Sequence, residues 1–135
     1  MASHTRGGGE RREYHDWGRT SVLGGRRVSG QRALAPGEVA LLRVLAPGEG
    51  PTVVASASRV TDVRTGPGEI AFRSQGPAAT TAATRIALPG SPKSTTITST
   101  NGAAHPFIGE WDATSETLLL SYENLPDGVA VRVAY

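Results

Sequence analysis

Apolar and polar positions alternate along much of this 135-residue chain. In segment 69–73, Ile70 and Phe72 face one way while Glu69, Ala71 and Arg73 face the other. Toward the end of the chain Val129, Val131, Val133 and Tyr135 alternate with Ala130, Arg132 and Ala134. A period of two with one apolar face is the pattern of a half-buried β-strand. The pattern predicts strands near 38–46, 52–59, 60–64, 69–74, 83–88, 94–100, 104–110, 116–122 and 128–134. Segments 52–59 and 60–64 also read as one long bent strand. Val, Thr and Ile dominate these segments, which disfavours helices. At Thr114–Leu120 one or two helical turns compete with a strand, but Leu118-Leu119-Leu120 followed by Ser121-Tyr122 suits a buried strand better.

Between the strands stand turn formers at fairly even intervals: Pro36-Gly37, Pro47-Gly48, Gly66-Pro67-Gly68, Gly76-Pro77, Pro89-Gly90, Asn101-Gly102 and Pro126-Asp127-Gly128. Proline presets φ for the second turn position and glycine accepts the positive φ that follows. Asn101-Gly102 is the strongest short hairpin signal, and it predicts that 94–100 pairs with 104–110. The pentapeptide Leu-Ala-Pro-Gly-Glu occurs at 34–38 and at 45–49, and Pro-Gly-Glu recurs at 67–69. These offsets are not a solenoid period; one good turn is reused. About eight strands at this spacing predict an all-β domain, an antiparallel β-sandwich or jelly roll.

Charge divides the chain differently. Residues 1–32 form a Gly/Arg-rich stretch in which seven arginines face three acids, a net +4. Residues 33–135 hold six arginines and Lys93 against nine acids, a net −2. The overall +2 therefore averages an extended basic N-terminal arm and a mildly acidic sandwich domain. Thirteen arginines to one lysine reflect codon usage as much as chemistry, although a guanidinium makes bidentate and stacking contacts that an ammonium does not. A body of this size buries a core without disulfides or metals. There is no cysteine, which excludes disulfides and thiolate metal sites and fits a reducing compartment. The N-terminal segment lacks the apolar stretch of a signal peptide, and no run approaches the roughly 18 apolar residues of a membrane span. The expectation is a protein made in a cytoplasm, with no membrane partner.

Candidate chemistry is sparse. His4, His15 and His105 form no metal-ligand spacing. No Gly-x-Ser-x-Gly elbow or phosphate-binding loop is present. Glu110 and Asp112 flank Trp111 in the manner of a carboxylate pair beside a sugar platform, but residues two apart in a strand lie side by side on one face. The expectation is no enzyme, no cofactor, no metal and no small-molecule substrate. Trp111 with Tyr122 suits stacking on a glycan; next to Phe107 and Ile108, Trp111 reads more readily as core or subunit contact.

The arm holds the remaining candidates. Arg6, Arg11, Arg12, Arg19, Arg26, Arg27 and Arg32, with Tyr14 and Trp17 interleaved, suit two kinds of contact. Arginines and aromatics bind nucleic acid through phosphates and stacked bases, and they also anchor a subunit contact. Glu10, Glu13 and Asp16 dilute the nucleic-acid reading, while Tyr14, Trp17, Val22 and Leu23 supply apolar anchors for a neighbouring subunit.

A cysteine-free, Ala/Thr/Gly-rich sandwich with a long arm resembles the small capsid decoration (cement) and minor capsid proteins of tailed and related bacteriophages. The likeness is one of layout and composition over the whole chain. It implies a structural virion protein, made in the host cytoplasm, that self-associates and binds capsid subunits. The arm would lie across neighbours and its arginines would meet acidic shell residues or packaged nucleic acid. Two other readings stand beside it: a carbohydrate- or receptor-binding module of a tail or spike, and a nucleic-acid-binding protein with an arginine arm.

Overall fold

A computed structural model of the chain describes residues 19–21, 27–28, 35–37, 42–44 and 50–135. Three short strands come first: β1 (Arg19–Ser21), β2 (Arg27–Val28) and β3 (Leu42–Val44). They form a small antiparallel sheet in the order β2-β1-β3, so two pieces of the basic stretch pair with a third at 42–44. Eight strands follow: β4 (Thr52–Ser56), β5 (Arg59–Gly66), β6 (Glu69–Gln75), β7 (Thr81–Ala87), β8 (Ser94–Ser99), β9 (Phe107–Asp112), β10 (Thr117–Glu123) and β11 (Val129–Ala134). They build two antiparallel four-stranded sheets, β4-β7-β10-β9 and β5-β6-β11-β8. No helix occurs among the described residues.

The sheets meet face to face because the predicted alternation holds. Ile70 and Phe72 on β6 and Val129, Val131 and Val133 on β11 are buried from one side. Ala82 and Ile86 on β7 and Leu118, Leu120 and Tyr122 on β10 are buried from the other, in a single cluster with Ile97 and Leu88. Register builds this core in rows, such as Phe72 opposite Val131 opposite Ile97, and Ile86 opposite Leu118 opposite Trp111. Each fully buried aliphatic side chain contributes on the order of 1.5–3 kcal/mol. On the outward side of the β4-β7-β10-β9 sheet, Val54 and Ala87 form a second, smaller buried cluster.

Two expectations are corrected. The stretch 52–64 is not one bent strand: it breaks at Ala57-Ser58, and β4 and β5 enter different sheets. The Asn101-Gly102 turn does not join two long paired strands either. Gly102 N–H donates to Ser99 O at 2.9 Å with Gly102 at φ 83°, closing a three-residue loop of Thr100, Asn101 and Gly102. The return segment pairs with β8 only through residues 103–105 and then leaves for the other sheet at Pro106. Proline has no N–H to continue a ladder, so the pairing ends there. The chain changes sheet at every connection in the sandwich except β5–β6 and β9–β10.

Candidate functional site: a basic sheet and an acidic hairpin

Of the arm residues singled out by the sequence, Arg19 and Arg27 fall in strands, β1 and β2. Arg6, Arg11, Arg12, Tyr14, Trp17, Arg26 and Arg32 lie outside the described residues. Register brings cations together that are distant in sequence. Thr20 on the central strand stands opposite Arg27 on one side and opposite Arg43 on the other. Pairing across β1 thus sets Arg27 and Arg43 in one register row, on the two strands that flank it. Arg19 belongs to the next row, between Val28 and Val44. Arg43 was not among the sequence candidates, because its proximity to Arg27 comes from pairing across β1.

The charge of the arm is also unevenly spread. Residues 1–18 hold three arginines and three acids, whereas 19–32 hold four arginines and no acid. The basic part of the arm is thus the part that contributes strands β1 and β2.

The opposite charge lies on the hairpin β9–β10. Residues 107–123 carry Glu110, Asp112, Glu116 and Glu123 and no lysine or arginine, a net −4. Glu110, Glu116 and Glu123 are exposed and Asp112 half-buried. Asp112 is committed to the turn: its Oδ1 accepts from Thr114 N–H at 3.0 Å and Ser115 N–H at 3.4 Å. This aspartate turn lets the chain reverse through Glu116, whose φ is 51°. Glu110 and Asp112 sit side by side on the outward face, opposite Leu119 and Thr117. They line one strand face and do not confront each other across a gap.

The aromatic candidates separate. Tyr122 is buried beneath the sheet, its hydroxyl 3.3 Å from Thr84 Oγ1, and so presents no ring face to a sugar. Trp111 is half-buried and packs against the core. The paired Trp111/Tyr122 platform is therefore not formed: in β9–β10 register Tyr122 stands opposite Phe107, and Trp111 opposite Leu118. His105 uses its backbone N–H on Ile97 O at 2.8 Å and its Nε2 on Glu123 O at 2.8 Å. Its ring meets Tyr122 edge-on with centroids 6.4 Å apart. His4 and His15 lie outside the described residues. Among the described residues no three His, Asp or Glu side chains gather as metal ligands. No described helix is long and apolar enough to cross a membrane.

The sequence did not single out the exposed apolar part of the hairpin. Ile108 is 67% exposed and Phe107 37% exposed, on a strand at the edge of its sheet. Hydropathy alone reads Phe-Ile as core; only edge position and register turn Ile108 outward.

No protein-family model, curated protein or solved structure matches the chain.

Proposed function

We propose that this protein is a structural, non-enzymatic component of a virion that decorates or cements a capsid, its N-terminal arm clasping neighbouring subunits. The observation that carries this reading is the separation of charge between two structural pieces. The Arg27–Thr20–Arg43 row lies on a small basic sheet, and the β9–β10 hairpin carries four carboxylates with no cation. Complementary patches of this kind steer association and fix its orientation more than they add raw affinity. A chain carrying both signs on different surfaces can join to copies of itself in series, or to an acidic shell through its basic sheet. The binding partners are then capsid subunits and further copies of this chain, and the working location is the particle.

Deleting residues 1–32 tests the reading. The shortened chain is expected to keep its β-rich circular dichroism spectrum and melt cooperatively, yet fail to co-pellet with particles assembled in its presence. Undiminished co-pelleting overturns the arm's role.

The same arginine row also favours a second reading, contact with packaged nucleic acid through phosphates. Mobility shifts with single-stranded DNA, lost on Arg27→Glu with Arg43→Glu, separate it from the first.

A further inference from the structure

Four strands of the sandwich stand at sheet edges: β4, β9, β5 and β8. An edge offers unpaired N–H and C=O groups to any other strand, and folded proteins blunt such edges with bulges, covering segments or short strands. Three of these edges carry such a device. β4 is bulged at Val54. β5 is bulged between Thr61 and Arg64, where Asp62 takes φ 53°. β8 is shadowed by residues 103–105 through Ser99 N–H to Ala103 O and His105 N–H to Ile97 O. β9 runs from Phe107 to Asp112 in unbroken register with β10, without bulge or proline, and carries the exposed Phe107 and Ile108.

We propose that β9 pairs antiparallel with β9 of a second copy about a two-fold axis at Gly109, so that two β4-β7-β10-β9 sheets continue as one. Side-chain direction restricts the register. Phe107, Gly109 and Trp111 stand opposite the core residues Tyr122, Leu120 and Leu118, while Ile108, Glu110 and Asp112 stand opposite outward positions. Residues opposed across a symmetric pair must share a face, so the axis passes through a residue and not between two. An axis at Gly109 pairs residues 107–111 and sets Phe107 beside Trp111 of the second copy and Ile108 beside its Glu110. An axis at Glu110 gives the same overlap but opposes two like carboxylates, which is destabilising. An axis at Ile108 leaves only residues 107–109 paired within the strand.

This pairing does not depend on the arm-clasping role, and salt tells the two apart. It brings two hairpins of net −4 together, so screening by added salt strengthens it. A basic arm on an acidic hairpin weakens under the same change. The contact is smaller than the roughly 800 Å² per partner of a standard interface, so the dimer is reversible.

Sedimentation velocity of the full chain across concentration and sodium chloride tests the proposal. The expected result is a monomer–dimer equilibrium whose dissociation constant falls as salt rises. Ile108→Glu, which sets a second carboxylate opposite Glu110 of the other copy, is expected to raise that constant at least tenfold with an unchanged melting curve. The chain has no cysteine, so Gly109→Cys reports the axis directly: opposed Cα atoms about 4.5–5.5 Å apart lie within disulfide reach. A Cβ at Gly109 meets nothing closer than Leu120 Cδ2 at 3.5 Å, an ordinary contact, and a melting curve of the variant checks that it folds. It is expected to form an interchain disulfide under mild oxidation, whereas Val63→Cys, at the exposed β5 bulge, does not. A monomer at every concentration, a dimer indifferent to Ile108→Glu, or equal cross-linking through Val63→Cys overturns the proposal. So does a dimer that dissociates with salt and vanishes on deleting residues 1–32, although that outcome supports the arm.

Discussion

The side-chain amide of Asn124 occupies the space that a Cβ on Gly76 would need: a Cβ built there stands 2.5 Å from Asn124 Cγ. Asn124 is buried, and its partners come from far apart in the chain. Its Oδ1 accepts from Ser58 Oγ at 2.8 Å, its Nδ2 donates to Thr80 Oγ1 at 3.0 Å, and its backbone N–H donates to Thr80 O at 2.8 Å. One amide thus ties the β4–β5 corner and the β6–β7 connection to the end of β10.

Gly76→Ala is expected to cost about 1–3 kcal/mol by overpacking, and Asn124→Ala about 2–3 kcal/mol by stranding its partners. Because the two act on the same contact, the double variant should lose less than the sum. Urea unfolding of the three variants measures the coupling, and strict additivity would contradict the contact.

Thr84 links Tyr122 and Ser56 through one hydroxyl, 3.3 Å from Tyr122 Oη and 2.8 Å from Ser56 Oγ. Tyr122→Phe removes one partner and is expected to cost about 1 kcal/mol. Thr84→Val strands the buried Tyr122 hydroxyl and leaves Ser56 Oγ only the Ser58 N–H at 3.1 Å, so it should cost more, about 1–3 kcal/mol, in the same urea titration.

Ser74 behaves in the opposite way. It is buried on β6 between Val60 and Val129, and its Oγ has no hydrogen-bond partner. Ser74→Ala removes a desolvated hydroxyl and is expected to raise stability by about 1 kcal/mol, seen as a higher midpoint of thermal unfolding.

Adjacent positions on β11 separate burial from charge. Val131→Ala opens space in the core and should cost about 2 kcal/mol or more. Arg132 meets Glu69 at 3.6 Å on an exposed face, so Arg132→Ala should change stability by less than about 0.5 kcal/mol. Denaturant midpoints of the two variants test the alternation that places them on opposite faces.

Trp111→Ala is expected to destabilise the fold by about 2 kcal/mol, because the ring packs on the core from a half-buried position. A variant of unchanged stability would show that the ring serves contact with another molecule alone.

The sequence carried the faces of strands better than their partners. Ile70, Phe72, Val129, Val131 and Val133 are buried where period-two alternation put them, since pleat fixes direction locally. Partner choice is non-local. Nothing in residues 52–64 states that the chain changes sheet at Ala57-Ser58, and Asn101-Gly102 specifies a reversal without saying how far the ladder runs. Asn124 sits in a Glu-Asn-Leu-Pro stretch that reads as turn, and its burial depends on Ser58 and Thr80 arriving from 66 and 44 residues away. At the candidate site, the net charge of the arm was visible in composition. The Arg27–Arg43 alignment required the pairing of β1 with both neighbours, and the exposed Ile108 required knowing that β9 is an edge.

The order of strands bears on how the chain comes to fold. β10 and β11, the last two strands in the chain, lie inside the two sheets: β10 between β7 and β9, β11 between β6 and β8. During vectorial synthesis neither sheet can close before these segments leave the ribosome, and until then β4–β7 and β5–β6 expose apolar faces with nothing to cover them. Within the sandwich only the hairpins β5–β6 and β9–β10 join neighbours locally, so most loop closures there are long and slow folding is the expectation. The newly made chain thus passes through a window in which its own open strands, and those of its siblings, compete for the same partners.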